Sequence, residues 1–145
     1  MKFFVLLCLT LSSSLTLANE EALKRLDALF DLRIKKNEEY REEFSEDAAE
    51  IENKEAREFL VKSEKENGQL WVDFTKRMKT NPDITARLQY IRLEIVGEIH
   101  SGYYDLEYAE GVKEQFSARS AIAKYKKQLR ELEAVEDLLK KAPKK

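Results

Sequence analysis

The stretch NPDITARLQYIRLEIVGEIHSGYYDLEY, residues 81–108, decides the fold class. It opens on Asn81-Pro82-Asp83, where Asn can cap a helix and Pro suits its first turn. Ile84, Leu88, Ile91, Ile95 and Ile99 then recur at intervals of four and three, the spacing that lines apolar side chains along one face of an α-helix. Leu93 and Val96 widen that stripe. The segment is the least polar one after the N-terminus and is predicted to be the central core helix. It is expected to stop at Ser101-Gly102, with Tyr103, Tyr104 and Tyr108 following.

The neighbouring segments are longer and more charged. Upstream, Leu23, Leu26, Leu29, Phe30 and Ile34 form a helical stripe that thins through Asn37, Tyr40 and Phe44. Ser45 before Glu46-Asp47 can cap a new helix, although the segment to Asn67 also reads as a continuation of the first. Asn67-Gly68 is the expected break, because glycine costs ~1 kcal/mol in a helix interior. Leu70, Trp71, Phe74 and Met78 then restore an apolar face. Downstream, Leu106, Tyr108, Val112, Phe116, Ile122, Tyr125, Leu129, Leu132, Val135 and Leu139 outline a long last helix, with Gly111 as a kink point. Nothing alternates in strand fashion for long, and the chain holds only four Gly and two Pro. The expectation is an all-α fold, an elongated bundle of three to five helices without a disulfide. Its best-packed part is to be the hairpin of residues 82–100 and 105–139, with Trp71, Phe74, Leu88, Ile91, Ile95, Phe116 and Ile122 buried.

Residues 1–18 read as a secretory signal peptide: Lys2 is the positive start, Phe3 to Leu11 the apolar run, and Thr16-Leu17-Ala18 the small-residue cleavage site. The apolar run is shorter than the ~20 residues that span a bilayer. Cleavage leaves 127 residues, 19–140 forming a single helical domain and 141–145 a frayed basic tail. The expected location is periplasmic or extracellular, with no stable membrane insertion after cleavage. Cys8 leaves with the signal, so no disulfide framework is available. The mature charge of −3 argues against nucleic acid as a partner. Eight acids and one base lie between Glu38 and Glu52, and eight bases and four acids between Lys124 and Lys145. The basic tail could face that acidic run, or both could be solvated surfaces.

The residues allow little catalysis. His100 is the only histidine, which excludes a multi-histidine zinc site in one chain and argues against a Ser-His-Asp or Cys–His mechanism, the latter also lacking a cysteine once Cys8 leaves with the signal. Its expected place near a helix C-terminus suits a cationic side chain beside the dipole. Glycines 68, 97, 102 and 111 are scattered singly, so no phosphate-binding loop is present. The chain is expected to be no enzyme and to need no cofactor or metal.

Tyr90-Ile91-Arg92, Ser101-Gly102-Tyr103 and the helical run Tyr125 to Leu132 together resemble the lysozyme-inhibitor-like family of small exported bacterial helical proteins, over about a third of the chain. They stand for that family's aromatic–Arg element, its turn and its last helix. Ile95 and Phe116 occupy the two cysteine positions of the family. The resemblance implies a binder of an extracytoplasmic protein such as lysozyme. Two other classes fit the composition: a periplasmic chaperone or envelope-stress module, and a lipid or ligand carrier. A carrier needs apolar surface beyond its core, and 37% charged residues leave little.

The expected partner-binding surface is Ser101, Gly102, Tyr103, Tyr104 and Asp105, read as a turn exposed between two packed helices. Tyrosine offers large contact area with few rotors to freeze, and Asp105 and Glu107 beside it suit a basic protein partner. Tyr104 and Tyr108, four apart, also read as the start of the last helix's core stripe.

Overall fold

The computed structural model describes the backbone of residues 2–47 and 52–141 and the side chains of residues 19–42 and 52–141. The side chains of the signal segment, Ala48, Ile51 and the tail at 142–145 lie outside the described residues. Among the described residues the chain is all-α, with four helices: α1 (Lys2–Asp47), α2 (Lys54–Lys79), α3 (Ile84–Tyr108) and α4 (Val112–Lys141). No helix among them is long and apolar enough to cross a membrane.

Local chemistry sets the helix starts. Helix α1 continues through Ser45 to Asp47, so no helix begins at Ser45. Asn53 starts α2 instead, its side chain accepting from the Ala56 backbone N–H at 3.0 Å. Asp83, not Asn81, caps α3: its Oδ1 accepts from the backbone N–H of Thr85 and Ala86 at 2.9 and 3.2 Å. The Asn81 side chain accepts from Asp83 N–H at 2.8 Å and shapes the turn ahead of it. At α4, Glu114 Oε2 reaches back to the N–H groups of Glu110 and Gly111 at 2.9 and 3.2 Å, a carboxylate at the positive end of the helix. Gly111 therefore lies in the connection before α4, not at a kink within it.

Two compact units divide the chain. One spans Phe30–Arg87, where α1 and α2 run antiparallel: Asp31 meets Lys79 at 2.5 Å, Glu38 meets Lys76 at 3.1 Å, and Arg41 donates to Gln69. The acids of α1 from Asp31 to Glu38 thus find bases at the C-terminal end of α2. Their seam is small and partly polar. Gly68, Val72 and Thr75 are buried on α2, with Asn37 of α1 at Thr75 and Arg41 of α1 at Gly68. Asn37 Nδ2 donates to Thr75 Oγ1 at 3.1 Å, and Thr75 donates in turn to the Trp71 carbonyl at 2.9 Å. Gly68 permits a close approach, since a Cβ there would lie 2.9 Å from Cβ and Cγ of Arg41. Asn67-Gly68 is accordingly no break; α2 runs straight past it. At the other end of this unit, the Arg87 guanidinium lies 5.5 Å from the Phe30 ring centre.

The second unit spans Met1–Leu29 and Leu88–Lys145. Ala22, Leu26 and Leu29 of α1 are buried there, as are Ile91, Ile95 and Ile99 of α3 and Ala118, Ile122, Tyr125, Leu132 and Val135 of α4. The α3 stripe supplies core at Ile91, Ile95 and Ile99, as the spacing predicts; Leu88 is half-buried, and Ile84 at its start and Leu93, expected to widen it, are exposed. Helices α3 and α4 are antiparallel, Arg92 donating to Glu136 at 2.7 Å and Lys126 to the Tyr103 hydroxyl at 2.7 Å. Arg25 donates to Glu131 at 2.5 Å. That hydrogen bond holds the Glu131 carboxyl below its usual range and raises the Arg25 guanidinium, burial opposing both shifts.

Three expected core residues are on the surface. Trp71, Phe74 and Phe116 are exposed. On α2 the seam is filled by smaller side chains on another face, which leaves the aromatics outside. On α4 the seam begins only at Ala118, and Phe116, two residues earlier, points away from it.

Candidate partner-binding surface

Helix α3 does not stop at Ser101-Gly102. It continues to Tyr108, so Ser101 to Asp105 form helix rather than a turn, and the two helices meet through residues 109–111. The cause is visible at Gly102, which is buried against α4: a Cβ there would lie 2.8 Å from Ile122 Cγ1. The glycine serves a close approach of helices, with no positive φ and no turn. His100, for the same reason, lies well inside α3 and not at its C-terminus.

A continuous helix deals the five expected residues to different sides. Gly102 faces Ile122. Tyr103 leans towards α4, where Lys126 Nζ lies 5.2 Å from its ring centre as well as hydrogen-bonding its hydroxyl. Ser101, Tyr104 and Asp105 are exposed. Tyr104 gains a neighbour that the turn reading left out of the site: Tyr108, one turn on, has its ring centre 4.5 Å away at a 41° tilt. Both are 63% exposed, so they are not the start of a core stripe. Leu93, His100, Tyr104 and Tyr108 share the outer face of α3, opposite the buried row of Ile91, Ile95 and Ile99.

At the start of α4, Val112 and Phe116 are also exposed. Their spacing continues an apolar stripe and so predicts core; no signal in the sequence separates Phe116 from Ile122. Asp105, Glu107, Glu110 and Glu114 are exposed along the same stretch, with Lys113 as the one base between residues 101 and 116. The Tyr104–Tyr108 pair thus has exposed acids close to it along the chain, an arrangement suited to a protein surface carrying Lys and Arg, through cation–π contact and charge together. Among the described residues no group of three or more His, Cys, Asp or Glu gathers to hold a metal ion. Of the residues on which the resemblance to the lysozyme-inhibitor-like family is read, Ile95 is core, Phe116 is exposed, and Arg92 is held by Glu136. No family model matches the chain, and no curated protein or solved structure matches it.

Proposed function

We propose that this chain is an exported, non-enzymatic helical binding protein that takes a basic protein partner on the tyrosine end of α3. The observation that carries the reading is the Tyr104–Tyr108 pair, in tilted ring contact and solvent-open on one helix beside exposed acids. Two rings already in contact on a helix lose little entropy on binding, and exposed tyrosines are favoured binding anchors. Lysozyme is the natural first partner to test, being basic, extracytoplasmic and the target that the sequence resemblance implies. Lysozyme activity should fall with saturable stoichiometry and with a salt dependence typical of charge complementarity. Tyr104→Ala should weaken binding by more than ~1 kcal/mol while leaving the melting temperature in place, since the side chain supports no core. Unchanged lysozyme activity at large molar excess rejects that partner. Suppression of aggregation of several unrelated unfolded proteins would favour the chaperone reading. Export is tested by N-terminal sequencing of the secreted form, which should begin at Asn19 or within a couple of residues of it.

A further inference from the structure

Helix α2 has a second face that the bundle does not use. Its seam with α1 runs along Gly68, Val72 and Thr75. At 100° per residue, Phe59, Leu60, Leu70, Trp71 and Phe74 cluster roughly 130° away around the same helix. They are 71%, 38%, 65%, 57% and 39% exposed. Trp71 and Phe74 pack edge to face, ring centres 6.4 Å apart, and Arg77 lies 5.8 Å from the Phe74 ring. A whole aromatic side chain carries roughly 150–250 Å², so these five leave on the order of 500 Å² open. That is large for one helix face in a monomer.

The layout of this face selects its occupant. The apolar groups sit at two ends of the stripe, Phe59 and Leu60 at one and Leu70, Trp71 and Phe74 at the other, with the small polar Ser63 and Asn67 between. Phe59 and Phe74 are equally far from the midpoint at residues 66–67. Turned end for end about that midpoint, the stripe is complementary to itself: Phe59 and Leu60 of one copy meet Leu70, Trp71 and Phe74 of the other, twice. A two-fold axis of this kind also brings the same flank of both helices together. It then sets Lys62 opposite Asp73 of the second copy and Glu55 opposite Arg77 of the second copy. A parallel two-fold pairing brings opposite flanks together and sets neither pair face to face. In the single chain Lys62 lies 3.9 Å from Glu66, and Asp73 accepts from Gln69 at 2.9 Å, both on the exposed flank where such pairs exchange readily.

We propose that α2 is a homodimerisation helix, pairing antiparallel with α2 of a second copy through Phe59, Leu60, Leu70, Trp71 and Phe74. The two copies would bury about 1,000 Å² from these side chains alone, and the flanking residues bring the total to the ~1,200 Å² at which specific interfaces begin. A face of that size gives a reversible dimer. It goes beyond the binding function above and uses none of the residues assigned to it.

Sedimentation velocity on the purified protein from low micromolar to several hundred micromolar tests this, with fluorescence of Trp71, the only tryptophan. Dimer should accumulate with concentration while Trp71 emission moves to the blue and its quenching by acrylamide falls. Leu70→Glu should raise the dimer dissociation constant by at least ~10-fold with helicity unchanged. Asp73→Lys should weaken the dimer, and the double variant Lys62→Asp/Asp73→Lys should restore it, as only the antiparallel register predicts. A monomer at every concentration with constant Trp71 quenching overturns the proposal. So does a dimer indifferent to Leu70→Glu, or a monomer whose Trp71 is shielded only by lipid vesicles or by an added amphipathic peptide.

Discussion

Gly102→Ala is a change whose sign depends on one atom across the α3–α4 seam. In an exposed helix interior, replacing Gly by Ala gains ~0.8–1 kcal/mol through propensity. At Gly102 the new Cβ would lie 2.8 Å from Ile122 Cγ1, against 3.4–4 Å for ordinary contact. Ile122 is buried and β-branched, so χ1 rotation offers it no easy escape on a helix; the seam has to open by more than half an ångström. Overpacking of this kind costs ~1–3 kcal/mol, which exceeds the propensity gain and leaves a net loss of ~1 kcal/mol. Once Ile122→Ala has removed the obstructing atom, the next contact is the Ile122 backbone N at 3.7 Å, an ordinary distance. Adding Gly102→Ala on that background should therefore stabilise by ~1 kcal/mol, and the cycle should show a coupling near 2 kcal/mol. Urea unfolding followed by circular dichroism at 222 nm reads each step. Gly97 is the control, exposed with nothing within 4 Å of a Cβ: Gly97→Ala should gain stability by itself. If Gly102→Ala stabilises the otherwise unchanged protein as much as Gly97→Ala does, the close approach of α3 and α4 at this point is wrong.

Two further perturbations probe the polar parts of each unit. Thr75→Val removes the acceptor of the buried Asn37 amide and should cost ~1–3 kcal/mol in urea unfolding, whereas Asn37→Leu/Thr75→Val, apolar on both sides, should recover most of that loss; equal losses in the two variants would refute a role for the hydrogen bond. Glu131 has its carboxyl held down by Arg25, so between its folded and unfolded values the unfolded chain binds more protons and stability rises with pH. The contribution is present above the ordinary glutamate value of ~4.3 and is lost as pH falls through the depressed folded value. With Glu131 41% exposed it amounts to less than ~1 kcal/mol after solvent screening. Melting from pH 6 to pH 3 should show Glu131→Gln with a shallower acid loss than the unchanged protein; parallel curves would show that the pair does not couple to folding.

Much of the fold was legible because most of its signal is periodic. The stripe of Ile91, Ile95 and Ile99 and the later one of Ile122, Tyr125, Leu132 and Val135 lie where their spacing puts them, in core. Helix ends were legible only where a cap and a break coincide, as at residues 79–84. At Gly68 and Gly102 the same residue type that ends helices instead lets two helices touch, and a single sequence carries nothing to separate the two uses. The candidate surface was half legible for that reason. Tyr103, Tyr104 and Asp105 stand out in the sequence, but Ser101-Gly102 reads there as a turn; in the continuous helix Gly102 faces Ile122 and Tyr108 joins Tyr104 on the outer side.

The misplacement of Trp71 and Phe74 has the same root and a wider consequence. Hydrophobic periodicity finds the more apolar face of a helix and assumes it is the inner one. On α2 the inner face is Gly68, Val72 and Thr75, with Asn37 opposite. Helices in contact stand 8–10 Å apart according to the side chains between them, and a glycine whose missing Cβ would lie 2.9 Å from Arg41 Cβ places this pair at the close end. An indole does not fit in such a seam. The small seam and the aromatic outer face are thus two sides of one arrangement. Enlarging the seam to admit Trp71 would strand the Asn37–Thr75 hydrogen bond, and keeping the seam leaves the aromatics to solvent or to another molecule. Exposed aromatic area of this extent is costly for a helix hairpin, and that cost is what pairing of α2 with a second copy would relieve.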